Sequence, residues 1–321
     1  MTQCLLSYRK KSSVVFIFLL TVFPVLLTGC FTGGRETKGS KDKSVAERTI
    51  MMDTLRLSRI VVPHNAAYSA VLGDLDPKEL QNIDRALTIY SNNRADSLSR
   101  DSMLITFDEF MTSVIQGYYD KKISGNQELF DHFRNKEEHA EGQKLVSRLA
   151  SHGINLFFRD GEFYMEPELS FIYNRLNNSL TTGSRNYLQT RMKVAKGFGS
   201  DGDVPMSAPD SIACLVIAWE DCMIKNPGYL RMNEIQSQYI DALTSYLTGS
   251  EQLPLFDTGT KVLDPKFKVS YLRFIKEHPD RESGKIVGKF YDLLSSKGFR
   301  YDEELDAFLS EVNMIPTQNP Q

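Results

Sequence analysis

Apolar residues recur at spacings of three and four along most of the chain, from residue 45 to about residue 312. This spacing places apolar side chains on one face of an α-helix, so it predicts a mainly α body. Capping residues and prolines divide the pattern, and Asp76-Pro77-Lys78-Glu79 predicts a helix that begins at Pro77. The predicted helices cover about 45–62, 77–90, 101–121, 126–150, 168–178, 184–196, 208–225, 230–248, 265–277, 281–296 and 302–312.

The helix predicted at 208–225 contains an unbroken apolar run at residues 212–219. A helix without a polar face is expected at the centre of the core. Cys214 and Cys222 flank Trp219 on this helix, about 12 Å apart along its axis, which is too far for a disulfide. We therefore expect both cysteines to be small buried hydrophobic residues.

Residues 154–166 alternate between apolar and polar positions, which predicts one small β-hairpin. Asp160-Gly161 is a favoured two-residue turn, because both positions can take a positive φ. Pairing outward from this turn places four apolar side chains on one face, and that face should pack on helices because a lone hairpin is marginally stable. They are Leu156, Phe158, Phe163 and Met165.

The C-terminal helices contain two similar segments, WEDCMIKNP ending at Pro227 and YLRFIKEHP ending at Pro279, each with a tyrosine twelve residues later. Residues 264–296 resemble the end of an array of tetratricopeptide-like helical hairpins. The two prolines are 52 residues apart, however, whereas that repeat has 34, and most of its signature Trp, Gly and Ala positions are missing. Two ordinary antiparallel helix pairs are the alternative.

The pairs at about 208–248 and 264–312 are also a candidate interaction surface, because adjacent helices form grooves and tyrosine is enriched at interfaces. The alternative is that these tyrosines pack helix against helix. The candidate interface residues are Tyr229, Tyr239, Tyr246, Tyr271 and Tyr291.

The N-terminus has the three parts of an export signal. Arg9, Lys10 and Lys11 precede an apolar run at residues 14–27, which is followed by small residues. The run is shorter than the roughly 20 residues of a transmembrane helix, and it contains Pro24. Its end, Leu27-Thr28-Gly29-Cys30, resembles the lipobox of bacterial lipoproteins, with an uncleaved signal anchor as the alternative.

The lipoprotein resemblance implies a domain organisation. Residues 1–29 would be a signal peptide, and Cys30 would carry a lipid that attaches the chain to the membrane. Residues 30–44, rich in glycine and charges, are expected to be a flexible tether, followed by a helical body at 45–250 and a C-terminal helical segment at 251–321. Because Phe31 follows the cysteine instead of aspartate, the resemblance favours the outer membrane. No acidic run follows the cysteine, so the periplasmic face is expected, with cell-surface display as the alternative.

Charge and candidate chemistry change this picture little. The chain has 38 basic and 41 acidic residues, and removing the three basic residues of 1–29 leaves a net charge of −6, which does not favour nucleic-acid binding. The sequence from Gly197 to Gly202 matches G-x-G-x-x-G but follows a predicted helix, so it predicts a loop. Asp201 and Asp203 begin an incomplete calcium loop, and Glu128 with His132 is only a weak metal pair. We expect no metal or cofactor.

Three functional hypotheses follow. The first is a lipid-anchored envelope protein that acts as a binding or scaffold module for a protein or glycan partner, without catalysis of its own. The second is a carbohydrate-binding outer-membrane lipoprotein, which should display exposed coplanar aromatic side chains. The third is a hydrolase that uses carboxylates, which should have paired carboxylates in a deep pocket.

Overall fold

The computed structural model describes residues 65–135, 140–159, 161–198, 208–250 and 253–313. These ranges contain twelve α-helices, a π-helical turn at Tyr119–Ile123 and one antiparallel two-stranded sheet, so the predicted mainly α fold with a small hairpin is confirmed. The signal segment, Cys30, the tether and the helix predicted at 45–62 lie outside the described residues. The elements are α1 (Ala66–Gly73), α2 (Gln81–Asn92), α3 (Ser97–Tyr118), α4 (Gln127–Asn135), α5 (Ala140–Ser151), β1 (Ile154–Arg159), β2 (Glu162–Pro167), α6 (Leu169–Leu176), α7 (Thr182–Phe198), α8 (Pro209–Lys225), α9 (Met232–Thr248), α10 (Pro265–Glu277), α11 (Glu282–Ser296) and α12 (Glu303–Asn313).

The hairpin has the register that its turn predicts. Phe158 pairs with Phe163, and Gly161 has a φ of +85°, which glycine adopts without steric cost. The apolar face packs on α4: the ring centroids of Phe130 and Phe158 are 5.3 Å apart, and those of Phe133 and Phe163 are 5.7 Å apart. The expected packing of this face on a helix is confirmed.

The prediction that a helix begins at Pro77 with Asp76 as its cap is wrong. The Asp76 carboxylate accepts a hydrogen bond from the Lys78 backbone N–H at 2.8 Å, and α2 begins only at Gln81. The buried Asn82 side chain stabilises the intervening turns by donating to the Asp76 carbonyl at 2.8 Å. An aspartate before a proline satisfies a turn as well as a helix cap, so the local pattern did not distinguish the two.

The single helix predicted at 126–150 is also wrong, because its two ends belong to separate helices, α4 and α5. These helices pack against each other. A Cβ atom at Gly142 would lie 2.8 Å from the His132 side chain, so glycine permits their close approach. The unpredicted helix α1 begins at Asn65, whose side chain accepts a hydrogen bond from the Tyr68 N–H at 2.9 Å.

Helix α8 lies at the centre of the C-terminal half, where it contacts α7, α9, α10 and α11. Ile212, Val216 and Trp219 are buried, but Cys214 is exposed. The predicted position of this helix at the centre of the core is confirmed, although Cys214 faces solvent. A groove lies beside Cys214, between α8 and α10.

Helices α10 and α11 form a helix–turn–helix unit that shares one hydrophobic core with the other described helices. The start of α11 lies against the turn, since a Cβ atom at Gly284 would be 1.8 Å from the His278 carbonyl oxygen. No helix in the described part of the chain combines the length and apolar character needed to cross a bilayer.

Candidate binding groove between α8 and α10

Two of the candidate interface tyrosines join α9 to α10. Tyr246 and Tyr271 are fully buried. The Tyr271 hydroxyl donates to the Tyr246 carbonyl at 2.8 Å, and the Tyr246 hydroxyl shares a hydrogen bond with the Ser270 Oγ at 2.8 Å. Burial raises the pKa of both phenols well above the usual value. These residues therefore pack helix against helix, which is the alternative that the sequence left open.

The other three candidate tyrosines differ in exposure. Tyr229 and Tyr239 are buried, and the Tyr229 hydroxyl lies 3.1 Å from the Ser184 Oγ. Tyr291 is partly buried, with its ring centroid 5.5 Å from that of Phe299. Of the five, only Tyr291 has accessible surface to offer a partner.

A groove of about 260 Å³ lies between α8 and α10. Its apolar lining includes Ala213 and Ile217 from α8 and Phe274 from α10, with the exposed Cys214 at its side. The full lining comprises Asp210, Ala213, Cys214, Ile217, Ser270, Arg273, Phe274, Glu277 and His278. The groove thus lies within the predicted surface but is formed by residues other than the predicted tyrosines.

The charged residues of the groove differ in how they are paired. Arg273 forms an ion pair with Asp210 at 2.6 Å, which joins the start of α8 to α10. Within the described ranges Glu277, the last residue of α10, makes no ion pair, and it is exposed. The adjacent His278 ring packs edge-on against Phe274, with centroids 5.0 Å apart. The groove therefore has one neutralised charge pair and one carboxylate available to solvent.

A buried carboxylate joins α8, one wall of the groove, to α11. Glu220 of α8 is 1% exposed and accepts hydrogen bonds from the Ser283 N–H at 3.2 Å and the Ser283 Oγ at 2.8 Å. It therefore satisfies donors at the start of α11, as a capping residue would. The neighbouring Asp221 pairs with Arg281 at 2.6 Å. Burial alone would raise the pKa of Asp221, but its bonds from Arg281 and Lys225 lower it.

A second polar cluster, which the sequence did not indicate, joins α3 and α7 to the start of α9. Arg231 pairs with the carboxylates of both Asp108 and Glu234, the latter at 2.8 Å. Arg191 lies 3.6 Å from Asp108, and the Tyr187 hydroxyl donates to Glu234. Two guanidinium groups thus face two carboxylates. We assign this cluster to stability, because its charges are balanced within the chain.

The electrostatics of the polar cluster reflect burial and charge together. Burial raises the pKa of Asp108, although Arg231 and Arg191 oppose this shift. Burial would also raise the pKa of Glu234, but Arg231 and the Tyr187 hydroxyl outweigh it, so the Glu234 pKa is lowered. The pKa values of the two carboxylates are therefore shifted in opposite directions, so protonation of each group affects the stability of the fold with the opposite sign.

The remaining sequence motifs do not assemble a site in the described ranges. The expectation that both cysteines are buried is wrong for Cys214, while Cys222 is buried. Glu128 and His132 both lie on α4, but no group of three metal-ligating side chains occurs among the described residues. Outside those residues lie His139, Asp201, Asp203 and the loop at 199–207.

Exposed aromatic side chains and paired carboxylates, the features expected of the other two functions, are sparse among the described residues. The aromatic side chains with more than 40% exposure are Tyr164 at 41% and Tyr301 at 44%. Tyr164 lies on the hairpin and Tyr301 precedes α12, so the two belong to different elements. Of the two carboxylates that line the groove, Asp210 is already paired with Arg273.

Comparisons with known proteins give no relative from which a site can be transferred. No protein-family model, curated protein or solved structure matches this chain. The groove is therefore interpreted from its own geometry.

Proposed function

We propose that this chain is a lipid-anchored protein of the bacterial cell envelope that binds a partner through the groove between α8 and α10. Cys30 carries the lipid, and the body faces the periplasm from the outer membrane. The observation that carries the binding proposal is an accessible groove with an apolar lining and, among the described residues, a carboxylate without an ion-pair partner.

The groove is suited to binding because part of its apolar lining remains in contact with water. Covering apolar surface contributes about 25 cal/mol per Å². Ala213 and Ile217 come from one helix and Phe274 from another. The Arg273–Asp210 ion pair links the two helices of the groove, the Tyr246–Ser270 hydrogen bond fixes α10 to α9, and Glu220 fixes α8 to α11. The groove should therefore need little ordering when a partner arrives.

The lipid-anchor proposal rests on the lipobox-like Leu27-Thr28-Gly29-Cys30 sequence. Between Cys30 and the proposed helical body lie residues 31–44, a tether that spans at most about 50 Å. That length allows the groove to meet a partner away from the bilayer.

Intact-mass analysis of protein extracted from membranes tests the anchor. The expected mass is that of residues 30–321 plus a lipid on Cys30. Cys30→Ser should accumulate as an unprocessed precursor, while Cys4→Ser serves as a matched control and should be processed normally. An unmodified full-length chain in the wild type would contradict the anchor, and membrane fractionation would then test the uncleaved form.

Chemical cross-linking in envelopes tests the groove. Ala213→Trp would fill it, and alkylation of the exposed Cys214 with a bulky maleimide would block it without a substitution at the lining. Leu98→Trp, at a position 59% exposed on α3, is the matched control. Loss of the same cross-linked protein after both groove treatments, but not with Leu98→Trp, is expected. Cross-linking unchanged by both treatments would contradict binding at the groove.

A further inference from the structure

We infer that the groove receives a protein segment that places an aliphatic side chain between α8 and α10 and a lysine or arginine beside Glu277. This inference rests on the proposed function and deepens it by naming the chemistry of the partner. It is carried by three properties of the groove: its volume, its apolar lining and its uneven charge.

The volume and open shape of the groove favour side chains of a protein over a separate small molecule. Pockets for drug-sized ligands and cofactors usually enclose about 300–1,000 Å³ and surround most of the ligand. This groove, at about 260 Å³, lies just below the small end of that range, and because it is open along one side it would surround less of a separate ligand. An anchor residue of a protein segment fits such a depression, since the rest of the segment can lie across its rim.

The apolar lining favours an aliphatic anchor. Ala213 and Ile217 are four residues apart on one face of α8, and Phe274 faces them from α10. The polar Ser270 hydroxyl, which also lines the groove, is already engaged by the Tyr246 hydroxyl at 2.8 Å. An uncharged anchor therefore leaves no polar group of this lining newly unsatisfied.

The charge of the groove favours a cation at one end. Asp210 is paired with Arg273, so the two carboxylates of the lining face one guanidinium group. The surplus carboxylate is Glu277, at the C-terminus of α10, where the unsatisfied carbonyl groups of the helix add negative potential. The nearby Arg281 is already paired with Asp221 at 2.6 Å.

Disulfide exchange at Cys214 tests this chemistry, because the exposed thiol lies in the groove lining. The probes are three activated-disulfide peptides, acetyl-Cys-Gly-Leu-Lys-amide, acetyl-Cys-Gly-Leu-Glu-amide and acetyl-Cys-Gly-Ser-Lys-amide. They are equilibrated with the detergent-solubilised full chain carrying Cys4→Ser and Cys30→Ser under a fixed concentration of free thiol. Intact mass and peptide mapping measure the labelled fraction of Cys214.

The Leu-Lys peptide should label Cys214 about threefold or more in excess of each of the other two. Glu277→Gln should remove most of the preference for lysine over glutamate, whereas Asp74→Asn, an exposed carboxylate on the turn after α1, should leave it intact. Ala213→Leu, which occupies the lining, should reduce the preference for leucine over serine. Thermal unfolding monitored by circular dichroism verifies that each variant is folded.

Equal labelling by the Leu-Lys and Leu-Glu peptides would overturn the cation assignment, and equal labelling by the Leu-Lys and Ser-Lys peptides would overturn the aliphatic anchor. Either result could occur while the cross-linked partner still depends on the groove, in which case the proposed function stands and this inference fails. If the Leu-Lys peptide labels Cys214 most strongly but no protein cross-link depends on the groove, the proposed function is contradicted and this inference about the chemistry of the groove stands.

Discussion

The polar cluster around Arg231 and the groove beside Glu277 place charged groups in contrasting surroundings. Arg231 has a side chain only 11% exposed and contacts two carboxylates of the same chain. Glu277 is exposed and makes no ion pair within the described ranges. Charges that are balanced internally stabilise the packing of helices, whereas a charge left available beside apolar surface can contribute to binding. The comparison therefore separates residues that maintain the fold from residues that face a partner.

The largest effect is expected from Arg231→Met. This change leaves Asp108 and Glu234 without their shared guanidinium group, and removing one partner of a largely buried ion pair costs about 3–5 kcal/mol. Urea unfolding measures the loss. Arg273→Met, whose side chain is 52% exposed in its pair with Asp210, is the control and should cost about 1 kcal/mol or less. Equal losses for both variants would remove the distinction between the two regions.

The next largest effect is expected from Glu220→Ala, which tests the contact between α8 and α11. The substitution leaves the Ser283 N–H and hydroxyl without their acceptor, and unsatisfied buried donors cost about 1–3 kcal/mol. Glu220→Gln, which retains an acceptor oxygen, should cost less. An unfolding free energy and a melting temperature of Glu220→Ala equal to those of the wild type would show that this residue does not hold α11 against α8.

Contacts between residues that are close in the chain could be predicted from the sequence, whereas contacts between distant residues could not. The hairpin could be predicted with its register because Asp160-Gly161 and the alternating residues are neighbours in the chain. Arg231 and Asp108 are separated by 123 residues, so no local pattern connects them. The sequence predicted an interaction surface at 208–248 and 264–312 on the basis of five tyrosines, but their size and apolar rings place four of the five in the core.

The groove itself could not be predicted, because it depends on how much of α8 is covered by α10. The run 212–219 is apolar on every side, which predicts a helix at the centre of the core. Helix packing buries Ile212, Val216 and Trp219 and leaves Cys214 exposed. Asp210 and Arg273, which border the groove, have opposite charges, but only the structure shows that these two residues form an ion pair.

A smaller effect is expected in the pH dependence of stability. The folded-state pKa of Glu234 lies below its usual value, so this group stabilises the fold at neutral pH and loses that contribution as the pH falls through the lowered pKa. Glu234→Gln should therefore flatten the loss of unfolding free energy below about pH 4.5. The change should be about 1 kcal/mol or less, because the Glu234 side chain is 43% exposed.

Asp108 provides the opposite sign within the same cluster. Its raised pKa means that its ionised form costs stability at neutral pH, and that cost disappears as the pH falls and the group is protonated. The unfolding free energy of Glu234→Gln and of the wild type is measured as the pH is lowered from neutral. The slope of this acidic part of the curve reports whether Glu234 contributes more to the pH dependence of stability than Asp108 does. A steeper loss of unfolding free energy with falling pH in the variant would contradict the lowered Glu234 pKa.

The smallest effect on stability is expected from Glu277→Gln. An exposed side chain without an ion-pair partner among the described residues should change the unfolding free energy by about 0.5 kcal/mol or less. Urea unfolding of the variant beside Arg231→Met gives both extremes of the comparison in one experiment. A loss similar to that of Arg231→Met would place Glu277 among the residues that maintain the fold.

Site-specific photo-cross-linking in intact envelopes tests the central claim that the groove between α8 and α10 binds a protein partner. A photoreactive amino acid is placed at position 213 in the groove or at position 98 on α3, and the cross-linked peptides are sequenced by mass spectrometry. We predict a protein adduct from position 213 that is absent from position 98 and is weakened by Glu277→Lys. The same adducts from both positions, or none from position 213, would contradict the claim.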